Sequence, residues 1–241
     1  TPSLKIFCFY KTTFGRPNFR VCKHYKSVYH MLKMEKRVLI AFIPQKKIVE
    51  NLKKIRKIAK IKIERNSGLK TPHITIVDNS YFDIKRVDKE LRKIAKSTKP
   101  FTVKIKGLNT FAVKKVLKIE RYKQNNSLIY LIENNPRMSK FRKDVLTRLN
   151  FLKTNDRFEQ WKRENPNISK TAIKNIKKYG TPFGLKEWKF HTTIGLIPKS
   201  KQKEILKKIE RLNLSEEWHI GNFGLFVRKK GWILFKKYHL I

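Results

Sequence analysis

The sequence predicts an α+β fold in which a β-α-β-α-β-β unit occurs twice, and three observations carry that expectation. A His-x-Thr-x tetrad sits in an apolar, β-prone stretch at Thr71-Pro72-His73-Ile74-Thr75-Ile76 and again at Phe190-His191-Thr192-Thr193-Ile194. Each tetrad follows a strand and a helix and precedes another helix and a strand pair, by hydrophobic periodicity. Finally, 241 residues with 40% hydrophobic content are enough to bury a core.

In chain order, residues 1–33 are basic and aromatic without a helical or strand period, and read as an extension; Met34 opens a folded domain over 34–241. Val38-Leu39-Ile40-Ala41-Phe42-Ile43, bounded by Pro44, is a buried strand. Ile48, Leu52, Ile55 and Ala59 recur at helical spacing, predicting a helix over about 45–60 with Lys46, Lys53, Lys57 and Lys60 on its other face. The His73 strand follows, then a helix near 85–97 marked by Val87, Leu91 and Ile94, and strands at 101–106 and 115–120. The second unit repeats the order with a strand at 128–132, a helix carrying Met138, Phe141, Val145 and Leu149, and the His191 strand. A helix with Ile205, Ile209 and Leu212 and two closing strands, 218–227 and 232–238, complete it. The lobes are therefore expected at about 34–125 and 126–241. Residues 151–187 are polar and broken by Pro166, Gly180, Pro182 and Gly184, and read as an inserted surface loop or lid.

Lys plus Arg total 59 against 18 Asp plus Glu, a formal charge of +41 that calls for a polyanionic partner, RNA or DNA. Lysine outnumbers arginine 44 to 15 in a chain also rich in Ile and Asn, a bias that A+T-rich coding also produces, so both origins of the charge stay open. With two cysteines, Cys8 and Cys22, a disulfide-stapled secreted scaffold is excluded and an intracellular, cytoplasmic protein is expected. No apolar run approaches the roughly 20 residues of a membrane helix.

Strand alternation sets His73 and Thr75 on one face, and His191 and Thr193 likewise. If both motif strands face one cleft, two imidazoles and two hydroxyls converge, an arrangement suited to phosphate chemistry. A neutral imidazole takes a proton, an imidazolium gives one, and the hydroxyls hold non-bridging oxygens. Zinc needs three or four protein ligands. Asp78 lies five residues past His73 on the opposite parity, nothing equivalent follows His191, and Cys8, Cys22, His24 and His30 lack a knuckle spacing, so no metal and no cofactor are expected. His219 and His239 have no hydroxyl two residues on. Lys70, Tyr81 and Trp188 are candidate substrate-binding residues beside the motifs; Tyr179, Phe183 and Phe190 read better as core or rim, with Phe190 inward.

His73-Ile74-Thr75-Ile76 and His191-Thr192-Thr193-Ile194 resemble the two signature motifs of the 2H phosphoesterase superfamily, and the likeness spans about residues 34–241. The resemblance implies a bilobal fold with two antiparallel-rich sheets around a central cleft. It further implies metal-independent chemistry on RNA or nucleotides with a 2′,3′-cyclic phosphate or a 2′-5′ linkage, as in the 2′-5′ RNA ligase and cyclic phosphodiesterase branch. By that likeness His73 and His191 are acid and base, with His191 favoured as base, while Thr75 and Thr193 hold the phosphate. The chain departs from the ligase-like pattern at Gly195-Leu196, where such members often carry an Arg. The competing reading is a basic RNA-binding or ribonucleoprotein component with a non-catalytic 2H-like cleft. An intact set of two His and two Thr argues for turnover.

Overall fold

The structure, a computed structural model, describes residues 36–61, 72–111, 124–154, 156–164, 168–185, 188–210 and 217–241. The extension at 1–33, the strand expected at 115–120, Leu212 and Lys70 lie outside the described residues.

The first unit runs β1 (Lys36–Phe42), α1 (Lys46–Ile58), β2 (Ile74–Tyr81), α2 (Ile84–Lys96) and β3 (Phe101–Phe111). The second runs β4 (Asn125–Ile132), α3 (Pro136–Leu149), α4 (Asp156–Glu164), α5 (Lys170–Tyr179), β5 (His191–Pro198) and α6 (Gln202–Glu210), before β6 (Glu217–Ile220), β7 (Asn222–Arg228) and β8 (Trp232–His239). Each long helix buries the stripe that its spacing predicts: Ile48, Leu52 and Ile55 on α1, Val87, Leu91 and Ile94 on α2, Met138, Phe141, Val145 and Leu149 on α3. Their starts are chemically marked. Asp83 accepts from the Arg86 amide, and Asn135, ahead of Pro136, accepts from the amides of Arg137 and Met138.

The eight strands share one hydrogen-bonded order, β6-β3-β4-β5-β2-β1-β7-β8, and every pairing is antiparallel. The α+β, antiparallel-rich expectation holds in this coarser form; the two separate sheets expected are instead one ladder. Between β2 and β5 it narrows to a single pair, Ile74 with Thr192, so two four-stranded halves meet at the two motifs.

The closing segment departs from the sequence reading. One strand over 218–227 is in fact two, broken at Gly221: β6 pairs with β3, Phe101 opposite Ile220, whereas β7 pairs with β1, Phe42 opposite Phe223. With one residue between them, β6 and β7 are necessarily close, so the sheet curls until β3 approaches β1. The rings of Phe42 and Phe101 meet edge-on at 5.8 Å, and Trp218, Ile220, Phe223 and Leu225 enter one core with the buried faces of α1, α2 and α3.

The inserted loop expected at 151–187 contains the helices α4 and α5. Ser169 caps α5 by accepting from the Ala172 amide, and Gly180 ends it in a left-handed conformation, φ 73°, that a side chain would strain. A Cβ on Gly180 would also run into Asn79, which donates to the Tyr179 carbonyl. Trp161 and Ile176 are the buried anchors of this pair.

Candidate active site

Ile74 opposite Thr192 fixes the register of the two motifs. One step to either side, Thr75 comes opposite His191 and His73 opposite Thr193, and opposed residues share a face. All four groups therefore stand on one face of the sheet, while Ile74 and Thr192 are fully buried on the other. Thr75 and His191 line a cavity of about 170 Å³ with Ile76, Val77, Asp78, Arg142, Trp161, Thr181, Phe183 and Trp188. His73, just ahead of β2, and the exposed Thr193 lie outside its lining.

His191 is fixed by its own strand's approach. Its Nδ1 lies 2.8 Å from the Lys189 carbonyl, which only accepts, so Nδ1 carries the proton and Nε2 is the basic nitrogen. Phe111 meets the imidazole edge-on at 4.9 Å and Trp188 lies 6.3 Å away. Burial holds its pKa below the usual histidine value, against the smaller opposing pull of the Lys189 carbonyl, and favours the neutral ring.

Both motif strands carry a bulge at the same place. On β2 the extra residue is Ile76, between the pairs Ile40–Val77 and Ala41–Thr75; on β5 it is Ile194, between Leu128–Gly195 and Ile129–Thr193. Each is the fourth residue of its tetrad. A bulge releases a backbone group from the ladder, and here an arginine takes each bulged carbonyl: Arg142 of α3 donates to Ile76 at 3.1 Å, Arg56 of α1 to Ile194 at 2.7 Å. The brace is reciprocal, a first-unit helix holding the second motif and a second-unit helix the first. Arg142, 1% exposed, also donates to the carbonyls of Phe183 and Gly184 at 3.1 and 3.2 Å and lies 4.4 Å over the Trp188 ring. Lone arginines on amphipathic helices gave the sequence reading no reason to single them out.

Of the substrate-binding candidates, Trp188 reaches the cavity wall. Tyr81 does not: at 1% exposure it belongs to the core, and burial pushes its phenol pKa up. It follows Ser80 on a strand whose two faces are both covered, so nearness to the motif in sequence misplaced it. Phe190 packs inward as expected, while Phe183, read as core or rim, joins the cavity with Trp161 and Thr181 of the insertion. At Gly195 a Cβ would overlap the Ile61 side chain. Among the described residues, no three His, Cys, Asp or Glu side chains group as a metal site.

The model of the 2′-5′ RNA ligase superfamily matches residues 44–232. The chain belongs to that superfamily, and so to the 2H phosphoesterases that its paired motifs resemble. It is accordingly an RNA-ligase-like phosphoesterase in the broad sense of the family. Similar solved structures include Escherichia coli LigT complexed with NADP+ (12% identity, 86% of this chain and 98% of that one, TM-score 0.46) and TT0787 of Thermus thermophilus (13%, 85% and 97%, 0.47). Usb1 of Kluyveromyces marxianus is also similar (11%, 87% and 100%, 0.40). No curated protein sequence matches the chain.

Proposed function

We propose that the protein opens 2′,3′-cyclic phosphate ends of RNA without a metal, giving a 2′-phosphate when water attacks and a 2′-5′ link when a 5′-hydroxyl attacks. The observation that carries this reading is the pairing of Ile74 with Thr192, which sets both His-x-Thr tetrads side by side on one face. His191 is the base: its Nε2 takes the proton of the attacking oxygen as that oxygen bonds to phosphorus. The bond from phosphorus to the 3′-oxygen breaks, and His73 as imidazolium supplies the proton that makes it a 3′-hydroxyl. Thr75 and Thr193 hydrogen-bond the non-bridging oxygens and hold them for in-line attack.

The test is a short RNA ending in a 2′,3′-cyclic phosphate, incubated with and without chelator. The expected product is the 2′-phosphate, formed equally in chelator. Activity lost in chelator and restored by zinc or magnesium would overturn the mechanism. RNA affinity with no turnover on any cyclic or 2′-5′ substrate would favour a binding component instead.

A further inference from the structure

We propose that Asp78 reads the base of the nucleotide in the cavity and selects one bearing an exocyclic amine, as in cytosine, adenine or guanine, over uracil. The selection rests on the phosphoesterase reading only for the placing of the phosphate at the two tetrads.

Straight alternation from His73 sends Asp78 to the opposite face of β2, and the bulge at Ile76 undoes that. Thr75 is opposite Ala41 and Asp78 is opposite Leu39, two residues apart on β1, so Asp78 returns to the face of Thr75 and His191. Ile76 and Val77, between them, enter the core instead. Two strand steps put Thr75 and Asp78 about 7 Å apart along the sheet. Both line the cavity that holds His191, so a ligand anchored at the tetrads meets a carboxylate within the span of one nucleotide.

Arg37 fixes that carboxylate. It donates to Oδ1 through Nε at 2.9 Å and to Oδ2 through Nη2 at 2.7 Å, a fork that sets the carboxylate plane and balances its charge. An ionised carboxylate only accepts, at about four positions, of which the fork takes two. With 31% of its side chain exposed, Asp78 remains reachable. It is the one anionic side chain among the described residues that line the cavity.

The remaining wall suits a flat heterocycle. The insertion supplies Trp161 from α4 and Phe183 from the turn after α5, and Trp188 lies on the approach to β5. Phe183 meets Trp188 edge-on at 6.0 Å, and the Arg142 guanidinium lies 4.4 Å over the Trp188 ring.

The chemistry selects what faces Asp78. A carboxylate repels a phosphate and takes a donor. At a 2′,3′-cyclic end the 2′- and 3′-oxygens are esterified and the 5′-oxygen continues the strand, so the ribose has no hydroxyl to give and the donor belongs to the base. Cytosine, adenine and guanine carry an amine from which Asp accepts. Uracil has a carbonyl oxygen in the place of the cytosine amine, and its N–H lies between two carbonyls whose lone pairs a carboxylate repels.

The experiment titrates the full chain by calorimetry with cytidine 2′-monophosphate and uridine 2′-monophosphate, products that match in size and are bound without turnover. Cytidine binds about tenfold more tightly, in line with one hydrogen bond to a charged group. Asp78→Asn, whose amide both donates and accepts, brings the two within about twofold. The 2′-monophosphate of the pyrimidin-2-one riboside, which lacks the amine and adds no bulk in its place, binds the unaltered chain like uridine and tests the contact without a variant. Equal affinity for cytidine and uridine overturns the role of Asp78, as does a cytidine preference that survives Asp78→Asn, or an amine-free analogue bound as tightly as cytidine. Because binding is read without turnover, selective binding with no opening of any cyclic phosphate overturns the proposed reaction and supports the role of Asp78, whereas turnover with equal binding of both bases overturns that role alone.

Discussion

At the scale of residues, the tautomer of His191 and the two arginine braces have separate consequences. With its pKa held below the usual value, His191 is neutral and basic at pH values where an ordinary histidine is partly charged. Where chemistry limits, the rate is expected to rise through an apparent pKa below 6.5 and fall as His73 loses its proton, giving a bell whose two limbs belong to the coupled pair. Trp188→Ala, which admits water beside the imidazole, should move the acidic limb upward; a limb that stays put would refute burial as the cause. His73→Ala and His191→Ala should each lower turnover by roughly 10²–10⁴, the usual worth of a placed acid or base, checked under single-turnover conditions. Arg142→Ala leaves the carbonyls of Ile76, Phe183 and Gly184 without this buried donor and should destabilise by about 2–5 kcal/mol in urea titration. Arg142→Lys is expected to restore little, because one ammonium does not reproduce a planar fork shared among three acceptors.

Among the elements, β8 depends on α2 through one carboxylate. Asp88 accepts from Arg92 at 2.7 Å, from the Tyr238 hydroxyl at 2.8 Å and from Lys236 at 3.3 Å, and the Arg92 hydrogen bond first, then those of Tyr238 and Lys236, hold its pKa down to about 2. A carboxyl depressed on folding stabilises above its unfolded value of 3.8 and loses that contribution as pH falls to about 2. Thermal melts should therefore drop between about pH 4 and pH 2, and Asp88→Asn should melt lower at neutral pH with a flatter profile in that window. An unchanged profile would show that the clamp contributes nothing. The sequence pattern of the insertion hides its helices because Pro166, Gly180, Pro182 and Gly184 interrupt a polar stretch. Gly180 ends α5 in a left-handed cap, so the glycine that argued against a helix in fact terminates one.

For the whole molecule, the charge of +41 has a measurable signature. If the face with the cavity tracks a single strand through about six phosphates, log affinity should fall with log salt at a slope of about −4. Binding should survive the double change of His73 and His191 to Ala, since lysines and arginines supply affinity while the histidines act on the transition state. A salt-insensitive affinity would mark the lysine excess as compositional.

Local pattern alone was enough for the helices α1, α2, α3 and α6 and for the strands that alternate with them, whereas the meeting of the two tetrads rests on the long-range pair Ile74–Thr192. Those elements depend on spacing along a few residues, such as Ile48, Leu52 and Ile55 or His73 and Thr75. Tertiary structure decided what depends on partners distant in the chain. Whether residues 218–227 form one strand or two is set by β3 and β1, which draw Ile220 and Phe223 to different parts of the curled sheet. Whether Tyr81 meets substrate or core is set by what covers its face, and whether an arginine matters is set by a bulged carbonyl on another element. Arg56 and Arg142 resemble any other cation in their helices until Ile194 and Ile76 leave the ladder beside them. Periodicity reports which side of an element is apolar; only packing reports which polar group is waiting there.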